Sequence, residues 1–333
     1  MERPLLPIFI TCGDPNGVGP EVSLKALDQL PLEIRSRAIL AGPFRVLEEM
    51  NELLGEPLAL ERVQSIGEPR SSDKVPVLEL AGAREFRLSY GRVSAEAGMM
   101  AGRGISLGTA ACIQGETAAL VTAPASKEAL HMAGFHYPGQ TEMIAALSGV
   151  DRYLMILTSG SLRVGMTTTH VALSEVAGLL RRELVRDKII AFHEGLATWF
   201  GIDDSRLAVA ALNPHASDGG IFGGEEESII LPAIEDARRA GIQVDGPFPA
   251  DTLFNRWQNF DGILSMYHDQ GMIPIKLAAF GNAINLTSGL CFPRTSPDHG
   301  TAFDIAGKLV ADPGSMIRAI EMAVELASRI KNA

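Results

Sequence analysis

Short apolar runs rich in branched residues alternate along the chain with longer stretches of helical period, the pattern that parallel strands and crossover helices impose. Runs at 7–12, 38–41, 118–122, 153–158, 207–212, 262–265 and 283–286 predict strands. Between them, 94–113, 173–200, 225–240 and 315–331 predict helices. Such alternation predicts an α/β protein with a largely parallel sheet. The stretch 51–74, with Gly55-Glu56-Pro57 and Glu68-Pro69-Arg70-Ser71-Ser72, reads as a peripheral loop-like excursion rather than a domain boundary.

At 333 residues the chain predicts about two domains, each large enough to bury a core. Hydrophobic residues make up 46% and charged residues 21%, which excludes a disordered chain. Acidic residues outnumber basic ones, 40 to 29, and a net charge of −11 argues against general nucleic-acid binding. A small anion remains compatible, because a few cations converging in one cleft set the local field. Cys12, Cys112 and Cys291 are odd in number and widely spaced, so they read as free thiols of a reducing compartment. With no signal-like N-terminus and no membrane-length apolar run, the expected location is the cytoplasm.

Most Gly-, Asp- and His-rich clusters follow a predicted strand, the end of an α/β sheet where ligands bind. The first, Gly13-Asp14-Pro15-Asn16-Gly17-Val18-Gly19-Pro20-Glu21, begins like a dinucleotide fingerprint but has Val22 at the third glycine position. A tight strand-to-helix turn and a ligand loop both stay open. Gly134 to Thr141 nearly follows P-loop spacing, yet Gln140 stands where the phosphate-binding lysine belongs, so an NTPase is rejected. A Gly139-Gln140-Thr141 turn opening a helix still offers N–H groups and a hydroxyl to one anion.

His170, His215 and His268 each come just after a strand, whereas His131, His136 and His193 receive no role. Three imidazoles with Asp251 and Asp269 suit a zinc- or cobalt-type ion. Separate hydrogen-bonding histidines account for the same spacing. Lys276 and Arg294 are cations in apolar settings with Asn285 between them, which suits either an anion clamp or stems that snorkel to the surface.

The densest cluster, His299-Gly300-Thr301-Ala302-Phe303-Asp304-Ile305-Ala306-Gly307-Lys308, resembles the adenosine-binding loop of the isocitrate and isopropylmalate dehydrogenase superfamily. Together with the first cluster, Thr122-Ala123-Pro124-Ala125-Ser126-Lys127, Leu212-Asn213-Pro214-His215-Ala216, Gly246-Pro247-Phe248-Pro249-Ala250-Asp251-Thr252 and Tyr267-His268-Asp269-Gln270-Gly271, it makes the chain similar to the 4-hydroxythreonine-4-phosphate dehydrogenase family. The resemblance implies two α/β/α domains with a cleft between them. The expected first domain is discontinuous, 1–135 plus 285–333, and the second is 136–284.

The activity implied is NAD(P)-dependent oxidation of 4-phosphohydroxy-L-threonine to a 3-oxo acid that decarboxylates to 3-amino-2-oxopropyl phosphate. The resemblance further implies a divalent metal, Zn²⁺, Co²⁺ or Mg²⁺, on His170, His215 and His268. It assigns His268 to the second subunit of a homodimer, so the site is shared. Gln140, Thr141, Lys276, Asn285 and Arg294 match substrate-binding positions, Asp251 and Asp269 are carboxylates near the metal, and His299, Gly300, Thr301 and Asp304 belong to the cofactor loop. Asp304 suits ribose hydroxyls and repels a 2′-phosphate, which favours NAD over NADP. The chain departs from the family's Gly-His-Thr-Glu at Gln140, which forms hydrogen bonds but carries no proton. Alternatives are a phosphorylated sugar acid such as 4-phosphoerythronate or threonate, an aromatic cis-dihydrodiol, a phosphate acyltransferase, or a non-catalytic anion-binding module.

Overall fold

The apolar run after Pro7 is buried along its length, with Phe9 and Ile10 fully inaccessible, as in a parallel strand covered on both faces. A computed structural model describes residues 5–68, 71, 73–279 and 283–330. Its strands, in chain order, are β1 (Ile8–Thr11), β2 (Ala38–Gly42), β3 (Leu60–Val63), β4 (Val75–Glu79), β5 (Ala119–Thr122), β6 (Leu154–Ser159), β7 (Leu162–Met166), β8 (Arg206–Ala210), β9 (Gln243–Phe248), β10 (Gly262–Ser265), β11 (Ile284–Ser288) and β12 (Arg294–Pro297). All seven predicted strands are present. Those missed, β3, β4, β7, β9 and β12, carry Gly, Pro or charged residues that break an apolar run.

The chain divides into two units, Met1–Gly149 with Cys291–Ala333, and Val150–Leu290. Both divisions fall later in the chain than 135/136 and 284/285. The helix Gln140–Leu147 packs on the long helix Ala95–Ile113 of the first unit, while β11 pairs antiparallel with β6 of the second. In the first unit the strand order is β3-β4-β2-β1-β5-β12, all parallel. The excursion expected at 51–74 thus contains an edge strand: β3 buries only Val63 and alternates poorly, which hides it in sequence. Residues 69, 70 and 72 of that stretch lie outside the described residues, as do 1–4 and 331–333.

In the second unit the order is β11-β6-β7-β10-β8-β9, with β6 antiparallel to both neighbours and the rest parallel. The helix expected at 173–200 is two, Leu173–Leu179 and Arg182–Phe200, separated by extended backbone at Leu180 and Arg181. The buried positions explain the break: Val176 and Leu180 share a face, but the next, Val185, follows after five residues and falls off that stripe. Phe192 of the second helix is fully buried over Gly165 of β7 and Gly262 of β10, where a Cβ would meet its ring. No helix among the described residues is long and apolar enough to cross a membrane.

Ser94 caps Ala95–Ile113, its hydroxyl accepting the Ala97 N–H at 3.1 Å. That helix is glycine-rich for packing. A Cβ on Gly98 would collide with the Ala129 carbonyl of the helix Lys127–Met132, and one on Gly102 with the Phe135 ring. Gly98→Ala is expected to destabilise the protein by about 2 kcal/mol or more, although alanine is the better helix former by about 1 kcal/mol. A urea midpoint at or above the wild-type value would contradict this packing.

Candidate functional site

Strands β7, β10 and β8 lie side by side and parallel, so the loops after them emerge on one edge of the second unit. His170 and His215 stand on those loops, and His268 opens the helix His268–Ala279 that follows β10. The β7 and β10 ends are stitched together: Thr167 N–H donates to Ser265 O at 2.8 Å, and the Thr168 hydroxyl to Met266 O at 2.8 Å. Gln270 joins β10 to β8, its Oε1 accepting the Met266 N–H and its Nε2 donating to Ala211 O, both at 2.7 Å.

This stitching brings the His170 and His268 rings to 5.9 Å between centroids. Both line a cavity of about 240 Å³ with Thr169, Leu173, Tyr267 and Asp269. His268 Nδ1 lies 2.7 Å from Asp269 Oδ1. A carboxylate there holds the proton on Nδ1 and leaves the Nε2 lone pair for a ligand, the usual arrangement behind a metal-binding imidazole. His215 does not join them: among the described residues, no group of three His, Cys, Asp or Glu is placed to hold a metal. Its own ring lies 6.2 Å from Phe222. Asp251 is exposed on the short helix Ala250–Leu253, outside the residues lining the cavity. Lys276 is exposed on the helix His268–Ala279, while Asn285 of β11 is half-buried and its Oδ1 has no hydrogen-bond partner among the described residues.

In the first unit Arg294 does not snorkel. It is 2% exposed, with Nη1 3.1 Å from the Thr141 hydroxyl and Nη2 2.6 Å from the Thr122 hydroxyl. Burial lowers its pKa from 12.5 to about 10, opposed by the Glu142 carboxylate, so it stays charged at neutral pH. Each hydroxyl that accepts from the guanidinium keeps its own hydrogen to donate. Thr141 sits in the first turn of Gln140–Leu147 and Thr122 ends β5, so a strand end and a helix start hold one cation. Gln140 is tied by Nε2 to Ala123 O at 3.3 Å, and its Oε1, like Glu142 Oε2, is buried without a partner among the described residues.

The first glycine cluster is a scaffold for the last one. Val18 N–H donates to Thr301 O at 2.9 Å, and a Cβ on Gly17 would stand 2.8 Å from that carbonyl. Glu21, fully buried, accepts the Ala311 N–H at 2.8 Å and the Lys25 ammonium at 2.8 Å, and Lys25 also donates to the Leu309 and Ala311 carbonyls. These bonds fix both ends of the segment that holds His299, Gly300, Thr301 and the exposed Asp304. His299 Nδ1 contacts Gly300 O at 3.0 Å, while Nε2 is buried without a partner among the described residues.

Several residues that build these sites went unassigned in sequence. Gln270 and Thr122 lay inside quoted motifs without a stated role. Pro20-Glu21 reads only as a helix first turn, and Glu226 sits in a predicted helix with no local signal.

Comparison with known proteins defines the class first. A solved 4-hydroxythreonine-4-phosphate dehydrogenase from Klebsiella pneumoniae has the same fold, with TM-score 0.86 and 38% identity over 97% of this chain and 99% of that one. The chain belongs to the pyridoxal phosphate biosynthetic protein PdxA family, which residues 34–323 match. It is 40% identical to a protein named 4-hydroxythreonine-4-phosphate dehydrogenase from Trichlorobacter lovleyi, over 98% of this chain and 99% of that protein. It is 42% identical to a D-threonate 4-phosphate dehydrogenase from Cupriavidus necator, over 97% and 98%.

Asp14 sets a pH dependence. Its side chain is fully inaccessible, and desolvation raises its pKa from 3.8 to about 6 against the pull of the Asn16 and Ser126 N–H groups. The folded protein thus binds this proton more tightly than the unfolded chain. Its contribution favours the fold below about pH 4, declines as the pH rises to about 6, and is level above that, a loss of about 3 kcal/mol. In urea unfolding across pH 4 to 7, the wild-type minus Asp14→Asn stability difference is expected to fall over that window. A difference independent of pH would contradict the assignment.

Proposed function

We propose that this protein, an oxidoreductase by family, oxidises the secondary alcohol of 4-phosphohydroxy-L-threonine with NAD as hydride acceptor, after which the 3-oxo acid decarboxylates to 3-amino-2-oxopropyl phosphate. The observation that carries the reading is that His170, His268 and His215 follow the adjacent parallel strands β7, β10 and β8, with Asp269 behind His268. Imidazole donors oriented by a carboxylate fit a divalent ion of the zinc or cobalt type, and magnesium is a further candidate. Such an ion, when bound, supplies Lewis acidity to the alcohol being oxidised and to the charge left by loss of carbon dioxide.

Among the described residues no three donors gather, and the set of His170, His215 and His268 is completed between two copies. Apolar side chains exposed beside each histidine support a homodimer: Val171 and Leu173 after His170, Ile221 and Phe222 beyond His215, and Ile273 and Leu277 one turn apart on the helix that His268 opens. Asp269 orients His268, and the carboxylate of Asp251 is the proton acceptor we favour, being outside that pairing.

Arg294, through Thr141 and Thr122, is the cation assigned to the substrate anion, and the resemblance adds Lys276 and Asn285 of the second unit as substrate-binding positions. His299 Nε2 is suited to accept from the exocyclic amine of an adenine, since Nδ1 faces a carbonyl and so carries the hydrogen. Asp304 takes the ribose hydroxyls, which favours NAD over NADP. Buried, unpaired thiols at Cys12 and Cys112 accord with a reducing cytoplasm.

A second reading, D-threonate 4-phosphate as substrate, is favoured by the relative at 42% identity. NADH formation measured with each compound separates the two: a higher kcat/KM for D-threonate 4-phosphate would overturn the first. Turnover is expected to be lost on chelation and restored by zinc, cobalt or magnesium. His170→Ala and His268→Ala are each expected to lower kcat about 10³-fold, and full turnover after verified metal removal would refute the metal's role. Arg294→Lys, which cannot reach both threonines, is expected to raise KM at least about tenfold. A higher kcat/KM with NADP would overturn the cofactor assignment.

A further inference from the structure

His215 occupies backbone that side-chain-bearing residues avoid. It opens a run of four, His215, Ala216, Ser217 and Asp218, with φ of 55°, 52°, 71° and 47°, followed by Gly219 at 66°. Contact between Cβ and the following carbonyl opposes such a left-handed turn in every L-residue. The loop therefore needs an external hold, and the structure contains one.

Glu226, 3% exposed, faces the turn that precedes His215. Its Oε1 accepts the N–H of Leu212 at 2.9 Å and of Asn213 at 2.7 Å, and its Oε2 accepts from Asn213 Nδ2 at 2.9 Å. Glu225 Oε2 also accepts from the Asn213 amide, at 2.8 Å. Gly223 leaves room for this amide: a Cβ there would stand 2.8 Å from Asn213 Nδ2. Beyond His215 the Ser217 hydroxyl donates to Gly223 O, and the N–H groups of Gly220 and Phe222 return to Ser217 O at 3.1 and 3.2 Å. Glu226 itself starts a π-helical turn, Glu226–Ile230, anchored by the fully buried Ile230 and continuous with the helix Leu231–Arg239. A carboxylate on a rigid element thus grips the loop on one side of His215, and the loop closes on itself on the other.

We propose that Glu226 is a positioning residue: by clamping the Leu212-Asn213 turn it pre-sets the His215 imidazole for metal ligation. This rests on the reading of His215 as a ligand. The Glu226 carboxylate is spent on protein N–H groups, so it acts through His215 and touches neither substrate nor metal. Without the clamp, metal binding has to order the strained loop, and that cost appears as lost affinity.

The test is Co²⁺ titration of the full-length apo-protein, reading the dissociation constant and the visible d–d spectrum, with thermal melting of each variant alongside. Glu226→Ala is expected to weaken Co²⁺ about 10- to 100-fold and to alter the spectrum, as loss of a group that orients a ligand does. Glu226→Gln, whose carbonyl still accepts both backbone N–H groups while its amide loses the Asn213 Nδ2 bond, is expected to bind more tightly than Glu226→Ala and about three- to tenfold more weakly than wild type. An unchanged constant and spectrum in Glu226→Ala, even with a lower melting temperature, would show a merely structural role and overturn the proposal. Should Glu226→Ala not fold, Asn213→Ala removes the side-chain half of the clamp. A weakening of about threefold or more then supports the proposal, and wild-type affinity overturns it. His215→Ala separates this proposal from its premise. If His215→Ala loses Co²⁺ binding while the clamp variants keep it, only the clamp is wrong; if His215→Ala binds like wild type, the ligand reading falls and the clamp with it.

Discussion

A parallel strand delivers its following loop to the same edge as its neighbour's, and this constraint decides where chemistry stands in the chain. β7, β10 and β8 are adjacent in the sheet although nearly a hundred residues separate the first two in sequence. Three histidines on their loops are thereby delivered to one edge without any local motif. The strand-end bonds through Thr167, Thr168 and Gln270 then turn shared direction into fixed spacing.

Buried charge is handled differently at each point where it occurs. Arg294 keeps its charge by donating to two hydroxyls, with Glu142 near enough to oppose its loss. Asp14, held by the Asn16 and Ser126 N–H groups, moves toward the protonated form instead. Glu21 and Lys25 pair one helical turn apart and spend their remaining capacity on the segment at 309–311. Each solution joins elements far apart in sequence, so polarity in the interior here specifies which loops meet, beyond whatever it adds to stability.

Much of this was legible in sequence where periodicity or a dense cluster marked it. The seven strongest apolar runs are strands, and the first glycine cluster, His215 and His268 follow three of them, whereas His170 and the cluster at 299–308 follow β7 and β12, which no apolar run marks. The Arg294 alternative was settled only by burial, because a cation between Pro293 and Thr295 looks the same whether it snorkels or holds two threonines. β3 and β12 escaped notice for a common reason: an edge strand, or one with a buried arginine, lacks the apolar signature that betrays a central strand. Glu226 was invisible because two of its partners are backbone N–H groups, which every residue has, and the third is an asparagine amide with no local spacing to mark it. Gly17 and Gly98 were equally silent, since a glycine needed for close approach looks like one needed for a turn.

Gln270 shows how far a single position can be determined by its surroundings. It meets an N–H on one side and a carbonyl on the other, each at 2.7 Å. Glutamate of the same reach has no hydrogen to give at neutral pH, lysine has no lone pair to offer, and asparagine is one methylene shorter. The spacing and opposite polarity of two backbone groups on neighbouring strands therefore select one amino acid, and they do so without reference to any ligand.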